Sequence, residues 1–279
     1  MDIANKEQEL RRKLEECAVA VRETNPMAPS ITNFVTIDFV ANAQLAVGGS
    51  AAMVYMPDEG EQVAASQALY FNAGTLMPVY EETIPCTVYA LAANGTPWVL
   101  DPVGLGIGSL RTKLLQCCKV GKPTIIRCNA SEAIALASLW GLEGAAESGV
   151  RGVDSTDSVA SARTAAIALA RFTGGAVAVS GEADMVTDGQ AVVWVEGGST
   201  FMPLITGTGC SLGGVCAVYA ACGDALTAAL AGTIVYDLAG SRAHEQAKGP
   251  ASFKVAFIDE LYQATPASIS SWPFKVEEA

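Results

Sequence analysis

Histidine occurs once in this 279-residue chain, as His244, and none of the eight cysteines belongs to a C-x-x-C pair. Zinc centres draw on clustered Cys and His ligands at short spacings, and that pattern is missing. Most of the cysteines at 17, 86, 117, 118, 128, 210, 216 and 222 read instead as small buried hydrophobes of a reducing compartment, the cytoplasm. Positive charge is also short: 17 Lys and Arg stand against 29 Asp and Glu, a net charge of −12. That balance excludes nucleic acid and anionic membrane surfaces as expected partners. A phosphate ligand survives the argument, because a phosphate site is local and built largely from backbone. No apolar run reaches the roughly 18 residues of a membrane helix. The charged stretch from Lys6 to Glu16 is not the apolar core of a secretory signal. Aromatic residues are few, at 7%, while glycine (27 residues) and alanine abound, which favours close helix–sheet packing over a β-sandwich. With 51% hydrophobic and only 16% charged residues, a sizeable core is expected and disorder is not.

What is present is alternation. Helical periodicity marks 6–22, 36–47, 58–66, 78–92, 110–119, 130–140 and 157–172, and again 210–222, 224–239 and 253–264. Short apolar runs at 51–56, 68–72, 97–100, 124–127 and 176–179 read as strands, and Asp188-Gly189 as the turn of a hairpin. Neither a linker nor an internal repeat interrupts the pattern, so one domain over 1–279 is expected. Strand–helix alternation at this spacing predicts an α/β fold: a mostly parallel central sheet with helices on both faces. Ligands of such sheets sit beyond the carboxyl ends of the strands. Asn72, Asp101, Arg127 and Ser180 each end an apolar strand-like run.

Gly207-Thr208-Gly209-Cys210 concentrates the chemistry. A glycine-rich turn that opens a helix presents unbonded N–H groups and the positive end of the helix dipole, a site for phosphate. A thiol in that field is expected to have a lowered pKa. Asp101, before Pro102, either starts a turn or holds Mg²⁺ through water. Glu132 either closes a capping box with Asn129 or serves the ligand. Arg127 leaves a β-branched strand at the ligand edge, where a guanidinium pairs with phosphate oxygens. Gly121-Lys122-Pro123-Thr124 lacks the upstream glycine of a phosphate-binding P-loop. Gly104-Leu105-Gly106-Ile107-Gly108 lacks the dinucleotide spacing and reads as a tight turn. His244, among Arg242, Glu245 and Lys248, reads as a solvated helix end, and no G-x-S-x-G exists for a serine hydrolase.

Taken in order, further stretches carry a resemblance. They are Ile31-Thr32-Asn33-Phe34-Val35, Ala41-Asn42-Ala43 leading to Met53, and Leu100-Asp101-Pro102-Val103-Gly104. Ile126-Arg127, Asn129-Ala130-Ser131-Glu132, Gly152-Val153-Asp154-Ser155 and Val179-Ser180-Gly181-Glu182 with Asp184 follow. Val186-Thr187-Asp188-Gly189, Thr206-Gly207-Thr208-Gly209-Cys210 and Gly249-Pro250 with Ser252-Phe253 complete the set. The ordered set resembles the hydroxyethylthiazole kinase family of the ribokinase-like superfamily. The resemblance implies a ribokinase-like fold and transfer of the γ-phosphoryl group of ATP, with Mg²⁺. The acceptor would be the hydroxyl of 4-methyl-5-(2-hydroxyethyl)thiazole, in thiamine biosynthesis and salvage. It also implies a homotrimer with active sites at the subunit interfaces. By matching position, Arg127 and Ser180 would contact ATP, Met53 and Gly207 would line the thiazole pocket, and Asp101 and Glu132 would serve the metal. Cys210 would sit beside the accepting hydroxyl, as base or as part of the pocket wall.

The chain departs from the family pattern at Pro29-Ser30, where His-Asn is usual, at Ser50-Ala51-Ala52 in place of Ser-Pro-Val, and at Cys128 in place of glycine. Two of these flank the expected thiazole pocket, which leaves another small alcohol as an alternative substrate. A related dehydratase of nicotinamide-nucleotide hydrates, a lyase, carries Asp after Gly-x-Gly, and Cys210 argues against it. A catalytically silent trimeric binding protein is the third reading. The retained Asp101, Arg127, Glu132 and Ser180 argue against that.

Overall fold

Short apolar runs rich in β-branched and aromatic residues become the strands. The computed structural model describes residues 3–142 and 158–279. β1 (Ser30–Ile31), β2 (Leu69–Asn72), β3 (Trp98–Asp101), β4 (Ile125–Asn129) and β5 (Ala176–Ser180) are parallel and lie side by side in that order. β6 (Asp184–Thr187), β7 (Ala191–Val195) and β8 (Phe274–Glu278) continue the same sheet antiparallel, giving eight strands. The helices are α1 (Ile3–Thr24), α2 (Ile37–Ala46), α3 (Pro57–Val63), α4 (Tyr80–Asn94), α5 (Ser109–Gly121), α6 (Ala130–Leu139) and α7 (Arg163–Thr173). After β7 come α8 (Thr208–Ala220), α9 (Ala225–Gln246), α10 (Pro250–Gln263) and α11 (Pro266–Ser271). No described helix is long and apolar enough to cross a membrane.

Strand order explains the layering. From β2 to β5 the neighbouring parallel strands are consecutive, and right-handed crossovers place their connecting helices, α4 to α7, on one face. That face carries α4 to α7 over Leu69, Phe71, Leu100, Ile126, Cys128, Val177 and Val179. The other face would be bare. It is covered by α1 and α2 from the start of the chain and by α8, α9 and α10 from its end, over Tyr70, Val99, Ile125, Ala176 and Ala178. The expected mostly parallel sheet with helices on both faces is therefore what the chain builds. Because side chains alternate along a strand, Asn72, Asp101, Arg127 and Ser180 share the parity of the second set and face α8.

Four points differ from the expected pattern. Segment 51–56 is not a strand: it touches the sheet edge only through isolated bridges, Met27 to Ser50 and Ser30 to Met53. Ala28 N and Ser30 N do donate to Ser50 O and Ala52 O, but the Ala28 carbonyl accepts from Gln44 Nε2 at 2.8 Å, which interrupts the ladder. Helix α9 runs on to Gln246 rather than stopping near 239, since Gly240 is used for contact: a Cβ there would lie 2.5 Å from Met202 Cε. Strand β8 was overlooked, although Phe274-Lys275-Val276-Glu277 alternates as a half-buried strand should. Segment 157–172 begins, within the described residues, as a 3₁₀ turn at Val159–Ala162 before α7. The Gly152–Ser155 motif lies outside the described residues.

Candidate active site at the carboxyl edge of the sheet

Helix α8 opens at Gly207, whose φ of +102° belongs to the left-handed region that favours glycine. Its first intrahelical bond is Ser211 N to Gly207 O, at 2.8 Å. The N–H groups of Thr208, Gly209 and Cys210 precede that bond and point out of the helix start. A Cβ on Gly209 would stand 2.8 Å from Nη1 of Arg127, so the glycine is what lets the guanidinium lie against the helix start. The sequence-predicted helix opening is present, two residues earlier than expected.

Below it, four strands present polar side chains at or near their carboxyl ends; Arg127 lies two residues before the end of β4, not at a strand end as expected. Asp101 is fully buried. Its Oδ2 accepts from Tyr70 Oη at 3.0 Å, Asn72 Nδ2 at 3.1 Å and Arg127 Nη1 at 3.4 Å. Its Oδ1 is buried with no hydrogen-bond partner. Burial pushes this carboxyl up to about 7, while the Arg127 charge pulls the other way and Glu132 adds to the rise. Arg127 also donates from Nη2 to Ser180 Oγ at 3.1 Å. Burial works against its charge, but Asp101 and Glu132 outweigh that and hold it cationic. Asp184, at the start of β6, accepts from Gly181 N at 2.8 Å, and burial pushes it up to about 6.

Cys210 corrects one expectation. Its thiol is raised, not lowered. Burial is the main cause, the Asp101 carboxylate adds to it, and the opposing Arg127 charge is insufficient. A helix start depresses a thiol only where solvation of the thiolate is not already lost. Sγ accepts from Asn33 Nδ2 at 3.3 Å, and the same amide donates to Asn72 Oδ1 at 3.0 Å.

Both readings of Glu132 hold. It closes the capping box of α6, accepting from Asn129 N at 2.9 Å, while Asn129 Oδ1 accepts from Glu132 N at 2.9 Å. Its other oxygen accepts from Gly104 N at 3.4 Å, which ties the Asp101–Gly104 loop to α6. Arg127, Asp101 and Ser180 thus meet directly under Gly207–Cys210, and Glu132 joins them through Gly104. Met53 stands to one side, paired with Ser30 and half-buried against the α8-side core. Sequence reasoning passed over Tyr70, although it lies two residues before Asn72 and so on the same face. Asn33 was noted only as part of a motif.

The surroundings of the departures are equally specific. Ser30 is buried and hydrogen-bonded to Gln44 Oε1 at 3.2 Å, so its hydroxyl is engaged in the core. Cys128 is buried on the opposite face, among the α4–α7 core. His244 is exposed near the end of α9, with Nδ1 2.8 Å from Ser199 Oγ and its ring against Phe201.

Comparison with known proteins decides the lineage. The sequence pattern of the family described as "Hydroxyethylthiazole kinase family" matches residues 19–267. The chain belongs to the hydroxyethylthiazole kinase family. A hydroxyethylthiazole kinase of Bifidobacterium longum (strain DJO10A) is 47% identical over 281 residues, covering 94% of this chain and 90% of that protein. The solved hydroxyethylthiazole kinase of Pyrococcus horikoshii OT3 superposes with a TM-score of 0.84 at 29% identity, over 96% of this chain and 99% of that one. A ribokinase-like superfamily protein of Enterococcus faecalis V583 reaches a TM-score of 0.60 at 11% identity, over 86% of this chain and 87% of that one. That likeness speaks for the ribokinase-like fold alone. A hydroxyethylthiazole kinase is a phosphotransferase, so the lyase and silent-binder readings fall.

Proposed function

We propose that the chain transfers the γ-phosphoryl group of ATP to the hydroxyl of 4-methyl-5-(2-hydroxyethyl)thiazole, within one kinase domain. The observation that carries this is the convergence of the α8 start, Arg127 and the buried Asp101 at one sheet edge. Phosphoryl transfer depends on positioning and charge neutralisation more than on covalent help. The outward N–H groups of Thr208, Gly209 and Cys210 hold charge that develops on the γ-phosphate. Arg127 supplies the cation beside them, and Ser180 fixes the guanidinium as well as offering its own hydroxyl to a phosphate oxygen. Gly207 and Met53 form the thiazole side.

The donor set fits Mg²⁺. Asp101 Oδ1 lacks a protein partner, and Mg²⁺ in kinases takes one or two carboxylates, its remaining positions going to water and phosphate oxygens. Asp101 and Glu132 would hold it, and it would neutralise negative charge between the phosphates. Among the described residues no group of three or more His, Cys, Asp or Glu is placed to hold a metal by itself, which agrees with a metal that arrives with the nucleotide.

Cys210, raised by burial, is a thiol near neutral pH. It shapes the pocket around the accepting hydroxyl rather than taking the proton. The active unit is a cytoplasmic homotrimer with sites at its interfaces. Exposed Phe34 and Val35, next to Asn33 on the site side, support that reading. The test is incubation with ATP, Mg²⁺ and the thiazole alcohol, with the phosphorylated thiazole read by mass spectrometry. Phosphorylation of a different small alcohol, with none of the thiazole, would reject the substrate and keep the kinase.

A further inference from the structure

Tyr70 is wholly buried between β2 and α8, yet its hydroxyl is not used for packing. Oη lies 2.7 Å from the carbonyl oxygen of Cys210 and 3.0 Å from Asp101 Oδ2, and it accepts from Asn72 Nδ2 at 2.9 Å. A phenol has one proton, so it serves the two acceptors in turn while the Asn72 amide holds Oη and Asp101 Oδ2 together. Among the described residues Tyr70 is the one side chain bonded both to Asp101 and to the backbone of α8. Its ring is seated by an absence: a Cβ on Gly213 would stand 2.4 Å from a ring carbon. Helix α8 therefore lies on Tyr70, one helical turn beyond the N–H groups that face the phosphate.

We propose that Tyr70 is a positioning residue that sets the separation between the Asp101 carboxylate and the phosphate-holding start of α8. The inference rests on the kinase reading above. If the two charges of the reaction are neutralised from two elements, a strand end and a helix start, their spacing must be held by something common to both. A buried hydroxyl bonded to each does that, and misplacement of such groups by about 1 Å is worth as much as a hundredfold in rate. Gly213 belongs to the same device, since any side chain there would displace the ring and its hydroxyl.

The test is Tyr70→Phe, which keeps the ring over Gly213 and removes only the hydroxyl. Loss of a bond to a charged acceptor predicts a fall in kcat of roughly tenfold to a hundredfold. The thiazole KM should change by less than about twofold, because uniform binding is untouched. Calorimetric titration with AMP-PCP provides a readout apart from turnover. Affinity measured with Mg²⁺ should fall about tenfold, and affinity measured without the metal should stay level. A variant with wild-type kcat and wild-type Mg²⁺–AMP-PCP affinity overturns the proposal. If Tyr70→Phe does not fold, Gly213→Ala carries the test by displacing the ring with the hydroxyl intact. Lost kcat at unchanged Mg²⁺–AMP-PCP affinity would then overturn it. Should the wild-type protein fail to phosphorylate the thiazole alcohol, the kinase reading fails separately, and the titration still decides for or against Tyr70.

Discussion

The two faces of strands β2 to β5 differ completely, although their residues alternate one by one. Toward α4–α7 every side chain is apolar, as in Phe71, Leu100, Ile126 and Val179. Toward α8 the same strands begin apolar and carry Asn72, Asp101 and Ser180 at their ends, with Arg127 two residues before the end of β4. The difference teaches that the site is a local exception to the core, made where one face meets the open carboxyl edge. Its charges are buried and mutually dependent, and buried ion pairs are weak contributors to stability. The proposed kinase chemistry accounts for them, and the opposite, apolar face supplies the stability.

The contrast is broken most severely by Arg127→Ala. It removes the guanidinium and leaves Asp101 buried without its counter-charge. The expected loss is about 3 kcal/mol or more in stability, together with a large drop in ATP affinity and little change in thiazole affinity. Unchanged ATP affinity in titration calorimetry would take Arg127 out of the site. On the other face, Leu100→Ala should lower stability by about 3 kcal/mol through the cavity it leaves, with the KM values of the folded enzyme unchanged. A large shift in KM would show that the two faces are not independent.

A third prediction concerns Asp237 on α9, buried on the α8 side with Oδ2 lacking a hydrogen-bond partner. Burial pushes it up to about 8, with the Asp184 charge adding to the rise. A carboxyl raised above its unfolded value binds protons more tightly when folded. Its contribution is favourable at low pH and is lost as pH rises toward about 8. Asp237→Asn should therefore flatten the decline in stability between about pH 4 and pH 8, with a gain on the order of 2 kcal/mol at the upper end. Denaturant melts across that range measure it, and a slope equal to wild type would show that Asp237 finds a partner in solution. The smallest effect is expected from Cys210→Ala. A general base contributes roughly 10²–10⁴-fold, so a raised thiol that only shapes the pocket should cost less than tenfold in kcat. A thousandfold loss would restore it as the base.

Much of this was legible along the chain, because the governing interactions are local. Short continuous apolar runs made the parallel strands, Gly174 and Gly95 stop their helices in the left-handed conformation, and Asn129 with Glu132 closes a capping box. The Gly-x-Gly-Cys turn announced a helix start, and the polar residues Asp101, Arg127 and Ser180 stood out from their apolar runs. Misreadings arose where a distant partner decides. Gln44 takes the Ala28 carbonyl that a ladder with segment 51–56 would use, and contact with Met202 keeps Gly240 inside α9. The Cys210 thiol could not be read from its place at a helix start, since its state depends on desolvation and on Asp101, 109 positions away in sequence.

Sequence by itself determined the parallel α/β class and the polar residue types that gather at the carboxyl edge of the sheet. These follow from periodicity and turn chemistry, which act over a few residues. Tertiary structure alone decided which of those residues touch, which oxygen of Asp101 is left without a partner and which way the thiol is pushed. It also decided that Tyr70 spans the gap to α8. Those outcomes depend on strand register, on burial and on the fit of Gly209 and Gly213 against side chains far away in the chain, and only packing sets them.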